Sequence, residues 1–369
     1  MSGDVIVVIV VATALAFDFT NGFHDTANVV ATSISTRAMA PRIAVGFAAV
    51  LNFAGAFISL EVAATVASGI VDEQAVTPLV VFGGLIGAIA WNLATWYFGL
   101  PSSSSHALIG GVVGATLVAQ GPDAVIFGEG VVGKVLVPAL VAPPLAFLVA
   151  GAGILLTYRI AGGSRPGPTA RGFRLGQLVS GGLLALAHGT NDAQKTMGVM
   201  TLALVANGTL AAGSNPPDWV VVTAATAIAL GTYVGGWRII KTMGSRIHKM
   251  DAAQGFAAQG AGAAVILAAS HGGFPLSTTH VISGGVIGSG AAKRLSAVRW
   301  GVAGNIIVAW LVTLPAAAVI GAFTYGVTRV FGTGATGPVV VSVLILGGAA
   351  VLFARRAARG PAVTAAAGG

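Results

Sequence analysis

LPSSSSHALIGG (100–111) and FPLSTTHVISGG (274–285) set a proline, a run of hydroxyl side chains, a histidine and a Gly-Gly pair in the same order within apolar sequence. Proline, then Ser or Thr, then an apolar run reads as a helix start. A hydroxyl oxygen there accepts from one of the first-turn backbone N–H groups that have no partner of their own. Pro101 aligns with Pro275, Ser103 with Ser277, Ser104 with Thr278, Ser105 with Thr279, His106 with His280 and Gly110–Gly111 with Gly284–Gly285, all 174 positions apart. What surrounds these two segments decides the fold.

Hydrophobic residues make up 55% of the 369 and charged residues 8%, with mean hydropathy +0.89. Soluble domains carry about 25% charged residues, so the chain is an integral membrane protein. Apolar stretches at 43–60, 79–98, 131–156, 219–237, 300–327 and 339–353 come near or above the roughly 20 residues a spanning helix needs. Continuous apolar runs without strand-like alternation exclude a barrel. The expected fold is therefore all-α, with roughly ten to twelve spanning or half-spanning helices by these lengths. The start of the chain carries Asp4 and no basic region or small-residue cleavage site, and is read as a retained span. There is no cysteine and hence no disulfide.

The net charge of +8 is not a nucleic-acid footprint, because Lys and Arg gather at span ends. They cluster at Arg37 and Arg42; at Arg159, Arg165, Arg171 and Arg174; at Arg238, Lys241, Arg246 and Lys249; at Lys293, Arg294 and Arg299; and at Arg355, Arg356 and Arg359. The positive-inside rule places these clusters in the cytoplasm, and the connectors 72–77, 121–130 and 208–218, which lack Lys and Arg, outside. Residues 78–120 then enter and leave from outside, and 254–290 from inside. Similar sequence with opposite entry is the mark of an inverted-topology repeat. The expected organisation is a first repeat at 1–157, a cytoplasmic linker at 158–172, an inverted second repeat at 173–337, and a C-terminal span with a cytoplasmic tail at 338–369.

A second duplicated motif accompanies the first. NGFHDTANVVATS (21–33) and AHGTNDAQKTMGV (187–199) align Gly22 with Gly189, Asp25 with Asp192 and Asn28 with Lys195, each 167 apart. An acid at the bilayer centre costs roughly 2.5–3.5 kcal/mol on insertion scales and is a functional hypothesis by default. Asp25, Asn28, Asn191, Asp192 and Gln194 offer hard oxygen donors for Na⁺ or a divalent ion. Gly22 and Gly189 are expected to let the helix unwind so that carbonyls join the coordination. Two helix N-termini meeting from opposite sides would hold one anion through N–H donors and aligned dipoles. The hydroxyls of Ser103, Ser104, Ser105, Ser277, Thr278 and Thr279 suit a tetrahedral oxyanion. Lys195 is balanced between direct contact with that anion and pairing with an aspartate, and Asp18 between a site residue and a structural acid. His106 and His280 read as orienting the turns, and Glu61 as a span-end residue.

These four motifs in this order, with AWLVTLPAA at 309–317, resemble the duplicated signatures of the inorganic phosphate transporter (PiT) family, from Asp18 to about Ala318. The resemblance implies a secondary transporter in the cytoplasmic membrane, importing inorganic phosphate by alternating access with H⁺ or Na⁺, with Asp25 and Asp192 as the essential acidic pair. Where many members have Asn before the first Asp this chain has His24. That substitution and STRAMAP (35–41) are similar to the bacterial proton-coupled, lower-affinity branch, which is also associated with Mg²⁺–phosphate and related metal complexes as cargo. His24, with an ordinary pKa near 6.5, joins Asp18 as a candidate proton path. One repeat is expected to rock against the other. No resident cofactor is expected, and a homodimer is left open. An intramembrane hydrolase is set aside because no G-x-S-x-G elbow occurs. Another oxyanion such as sulfate stays as the alternative cargo.

Overall fold

The computed structural model describes residues 2–161 and 166–358, so Arg165 and Arg359 lie outside the described residues. In chain order the helices are α1 (Ser2–Ser35), α2 (Pro41–Gly55), α3 (Glu61–Ser68), α4 (Pro78–Phe98), α5 (Ser104–Gln120), α6 (Val137–Ala161) and α7 (Pro166–Ala206). They continue with α8 (Asp218–Val234), α9 (Trp237–Lys241), α10 (Ala252–His271), α11 (Thr278–Lys293), α12 (Trp300–Val330) and α13 (Thr336–Ala358). Among the described residues five stretches are long and apolar enough to cross a bilayer. A sixth arises if α8 and the segment Trp237–Arg246 form one span bent by 58°. The region expected as a linker, 158–172, carries the end of α6 and the start of α7.

Local chemistry sets the helix ends. α2 and α4 begin at prolines, whose missing N–H is no loss in a first turn. α4 stops at Gly99, whose φ of +67° is open to glycine at little cost. Five residues later α5 starts on a Ser103 cap that accepts from the His106 N–H at 3.1 Å. α11 starts the same way, on a Ser277 cap that accepts from His280 N–H at 3.3 Å.

The packing repeats about a quasi-two-fold axis. α1 lies against α8 and α4 as α7 lies against α2 and α10; α5 packs on α12 as α11 packs on α6; α1 and α7 meet across the middle. Each half therefore closes its hairpin with the last long helix of the other half. The α4–α5 hairpin packs on α12, and in the α10–α11 hairpin α11 packs on α6 while α10 packs chiefly on α7.

Unwinding at Gly22 and Gly189 is also corrected. α1 and α7 run through these positions as unbroken helix. A β-carbon on Gly22 would strike the Ile228 carbonyl oxygen of α8, and one on Gly189 that of Asn52 on α2. Both glycines serve close helix crossing, as small residues commonly do in membranes.

Arg37, Arg174, Lys249 and Arg299 line one cavity at one end of the bundle. At the other, Asp72 N–H donates to Ala124 O at 2.9 Å and Gly213 N–H to Glu73 Oε2 at 3.5 Å, gathering the three connectors that lack Lys and Arg.

Candidate functional site

The tips of the α4–α5 and α10–α11 hairpins touch. Ser105 Oγ donates to Leu276 O at 3.2 Å across the junction. The His106 and His280 rings meet edge to face with centroids 4.7 Å apart, and His280 stacks on Trp310 at 4.1 Å. Trp310 Nε1–H donates to Pro101 O at 3.1 Å, so α12 clasps both tips. The two histidines thus set the relative position of the helix starts.

Beneath the junction, α1 and α7 each present one aspartate. Asp25 Oδ2 accepts from Ser104 at 2.5 Å, and its Oδ1 accepts from Thr279 at 3.3 Å and lies 2.7 Å from His24 Nδ1. The far ring nitrogen of His24 contacts Thr95 at 3.1 Å and Ser102 at 3.4 Å. Asp192 Oδ2 accepts from Thr278 at 3.2 Å and lies 3.0 Å from His188 Nε2, one helical turn before it. Its Oδ1 takes Lys195 Nζ at 2.6 Å. Lys195 also donates to Ser105 Oγ at 2.5 Å and to Leu276 O at 2.6 Å. Asn28, at the position equivalent to Lys195, donates to Thr279 at 2.9 Å and to Thr278 at 3.3 Å.

Ser104, Ser105, Thr278, Thr279, Asp25, Asn28, Asp192 and Lys195 therefore come together in one buried cluster. Ser103 and Ser277 sit at the same junction with their oxygens used as caps. Two expected ligands turn elsewhere. Gln194 Oε1 accepts from the Val62 and Ala63 N–H groups at 2.9 and 3.1 Å, capping α3, whose own N-cap Leu60 has no side chain to do so. Asn191 Nδ2 donates to Ser270 Oγ at 2.8 Å and Phe274 O at 3.2 Å, which ties it to the second tip. His24 holds the equivalent place on the first tip. Glu61 is exposed at the start of α3.

His188 is a site residue that the motif reading passed over. Its spacing of four from Asp192 within a helix was the available signal. One ligand atom each from Asp25, His188 and Asp192 lie within 4.8 Å of one another, and this is the one such triad among the described residues able to seat a metal ion. Two carboxylates and an imidazole suit a proton, Na⁺ or a divalent cation.

The cluster is electrostatically lopsided. Asp18, Asp25 and Asp192 are buried with Lys195 as the one buried ammonium among the described residues. An uncompensated ion in such an interior costs several kcal/mol after relaxation, so the cluster as it stands is short of positive charge.

Known proteins share this architecture. A family model described as the phosphate transporter family matches residues 21–166 and 161–321. A probable low-affinity inorganic phosphate transporter of Mycobacterium tuberculosis (strain ATCC 25618 / H37Rv) is 57% identical over 328 residues, covering 89% of this chain and 78% of the relative. A protein of the same description from Bacillus subtilis (strain 168) is 43% identical over 323 residues, covering 87% of this chain and 96% of the relative. A solved structure described as the sodium-dependent phosphate transporter superposes with a TM-score of 0.80 at 25% identity, over 88% of this chain and 99% of that one.

Proposed function

The chain belongs to the phosphate transporter family, and we propose that it carries inorganic phosphate inward across the cytoplasmic membrane by alternating access, driven by a cation that binds at Asp25 and Asp192. It is a multi-pass membrane transporter and not an enzyme. The observation that carries the mechanism is the meeting of two amide-rich helix starts over two carboxylates. Helix N-termini bind oxyanions through free N–H groups and dipole ends, and here two of them share one site. Residues 1–157 and 173–337 are read as the two inverted repeats that build it.

The hydrogen bonds suggest how the coupling works. Ser104 and Thr279 donate to Asp25, and Thr278 donates to Asp192. Each hydroxyl has one proton, so a hydroxyl that serves a carboxylate cannot serve phosphate. A cation on the carboxylates satisfies their lone pairs and frees the Ser104, Thr278 and Thr279 protons to turn toward the anion. Lys195, already on Ser105, adds a charged donor at the phosphate. Without the cation, a phosphate dianion, two aspartates and one lysine sum to −3; each bound monovalent cation removes one unit.

The coupling ion is H⁺ or Na⁺. His24, bonded to both Asp25 and Thr95, gives a proton a path to the first aspartate. Uptake of labelled phosphate into vesicles, with the Na⁺ gradient, the pH gradient and Mg²⁺ varied separately, assigns the ion and distinguishes free phosphate from a metal complex. Phosphate uptake that follows one cation gradient and resists excess sulfate is expected. Uptake that follows no gradient, or is suppressed equally by sulfate, contradicts the reading.

A further inference from the structure

Asp18 stands two turns before Asp25 on α1 and takes no part in the network above. Its carboxyl is fully buried, and among the described residues its only hydrogen-bonding neighbours are Asn21 and Thr196, neither of which reaches it in good hydrogen-bond geometry. None of the ion pairs among the described residues includes it. Its neighbours are Asn21, nearly one turn along α1, and Thr196 on α7, with Asp192 and Lys195 the charged groups that act on it. Asn21 Oδ1 and Thr196 Oγ1 are also buried without a partner. Oxygen atoms of three side chains thus gather at one place on the α1–α7 interface without a well-formed hydrogen bond among them.

Helix packing does not account for this. The quasi-symmetry relates Asp18 to Ala185 and Thr196 to Val29, 167 positions apart, and both of those are buried apolar residues. In the other half the same crossing carries an alanine and a valine at two of these positions, and the position of Asn21 is taken by His188, which turns to Asp192. A buried carboxylate so weakly bonded is costly, and at its own position the second copy of the fold has an alanine. A carboxylate, an amide oxygen and a hydroxyl are hard oxygen ligands of the kind that bind small hard cations.

We propose that Asp18, Asn21 and Thr196 form a second monovalent-cation site, separate from the Asp25–Asp192 pair, that takes up Na⁺ or a proton during each transport cycle. This rests on the reading of the chain as a cation-coupled transporter. The site adds one charge to the stoichiometry and lies close enough to Asp192 and Lys195 for its occupancy to be felt at the main site.

The test uses the full chain in proteoliposomes with the membrane voltage clamped at zero. Asp18→Asn removes the charge while keeping the shape. Phosphate–phosphate exchange at equal cation concentrations needs the main site alone, and Asp18→Asn is expected to retain it. Net accumulation scales with the cation gradient raised to the number of coupled ions. With a tenfold gradient and one coupled ion fewer, the variant accumulates about tenfold less phosphate than wild type. Separate Na⁺ and pH gradients show which ion is lost. Thr196→Val, which copies the valine of the opposite half, is expected to keep exchange and to raise the concentration of the coupled ion, Na⁺ or H⁺, needed for half-maximal uptake.

Wild-type accumulation by Asp18→Asn under both gradients would overturn the proposal, as would loss of exchange in step with accumulation by a monodisperse protein, which marks a structural acid. Should Asp18→Asn fail to fold, an unchanged cation dependence of Thr196→Val under both gradients overturns it. Absence of exchange by wild type would instead overturn the transport reading beneath it.

Discussion

Asp25 and Asp192 occupy equivalent positions on α1 and α7, yet their surroundings differ in charge. Asp192 is held by Lys195 at 2.6 Å, with His188 at 3.0 Å. Asp25 has His24, Ser104 and Thr279 and no lysine or arginine, since Asn28 stands where the other half has Lys195. The backbone is duplicated and the electrostatics are not. One carboxylate is compensated in place by its own helix, while the other has room for an imported positive charge. On the proposed reading, this asymmetry favours the Asp25 side of the shared site for the cation and gives Asp192–Lys195 the part of a compensated pair between the two tips.

The largest expected effect separates the two aspartates. Asp25→Asn should lower gradient-driven uptake by about 100-fold or more, a loss of some 2.7 kcal/mol, with the melting temperature in detergent little changed. Asp192→Asn leaves Lys195 as an unpaired buried cation, a change that costs about 3–5 kcal/mol, so it should lose both folded yield and uptake. Adding Lys195→Met to Asp192→Asn should recover the yield and not the uptake. Equal melting behaviour of the two single variants would break the comparison.

A smaller effect probes the duplicated backbone. Gly22→Ala and Gly189→Ala each push a methyl group into a facing carbonyl, and overpacking of this kind costs about 1–3 kcal/mol. Matched drops in melting temperature are expected from the matched geometry. A drop confined to one variant would show that the two crossings are not equivalent.

The smallest effect lies at the hairpin starts. α10 opens with a capping box in which Asp251 accepts from Gln254 N–H and Gln254 from Asp251 N–H, whereas α4 opens on Thr77 with no side-chain cap. Asp251→Ala should cost about 1 kcal/mol, and Thr77→Ala close to nothing. Burial acts to raise the Asp251 carboxyl, but hydrogen bonds from the Gln254 N–H, Lys293 and Tyr158 hold it below the ordinary range. Its contribution is therefore complete above the ordinary carboxylate pKa of about 3.9 and is lost as the pH falls through the lower folded value. Thermal melts of wild type and Asp251→Ala across pH would show a gap that is constant near neutrality and closes in acid.

Much of the site was legible because its parts occur twice. Pro–Ser/Thr–His before an apolar run declared the two helix starts, and the 167- and 174-residue spacings paired them with Asp25 and Asp192. What could not be read was which helix packs on which. α5, α6, α11 and α12 carry no pronounced polar face, so nothing in their sequence marks the side that meets a neighbour, and the crossing of α5 onto α12 is a three-dimensional fact. Gln194 was misread for a related reason: next to Asp192 it looks like a ligand, but α3 starts on Leu60 and needs an outside cap. Thr95 and Ser102 reach His24 through the turn at Gly99, which no residue spacing reveals.

The most direct test of the central claim is the position of a bound tetrahedral oxyanion. A structure of the protein soaked with arsenate and the coupling cation locates arsenic by its anomalous signal. The account predicts a single strong peak between residues 103–105 and 277–279, next to Lys195 and above Asp25 and Asp192. A peak in the basic cavity of Arg37, Arg174, Lys249 and Arg299, with none at the hairpin tips, would contradict it.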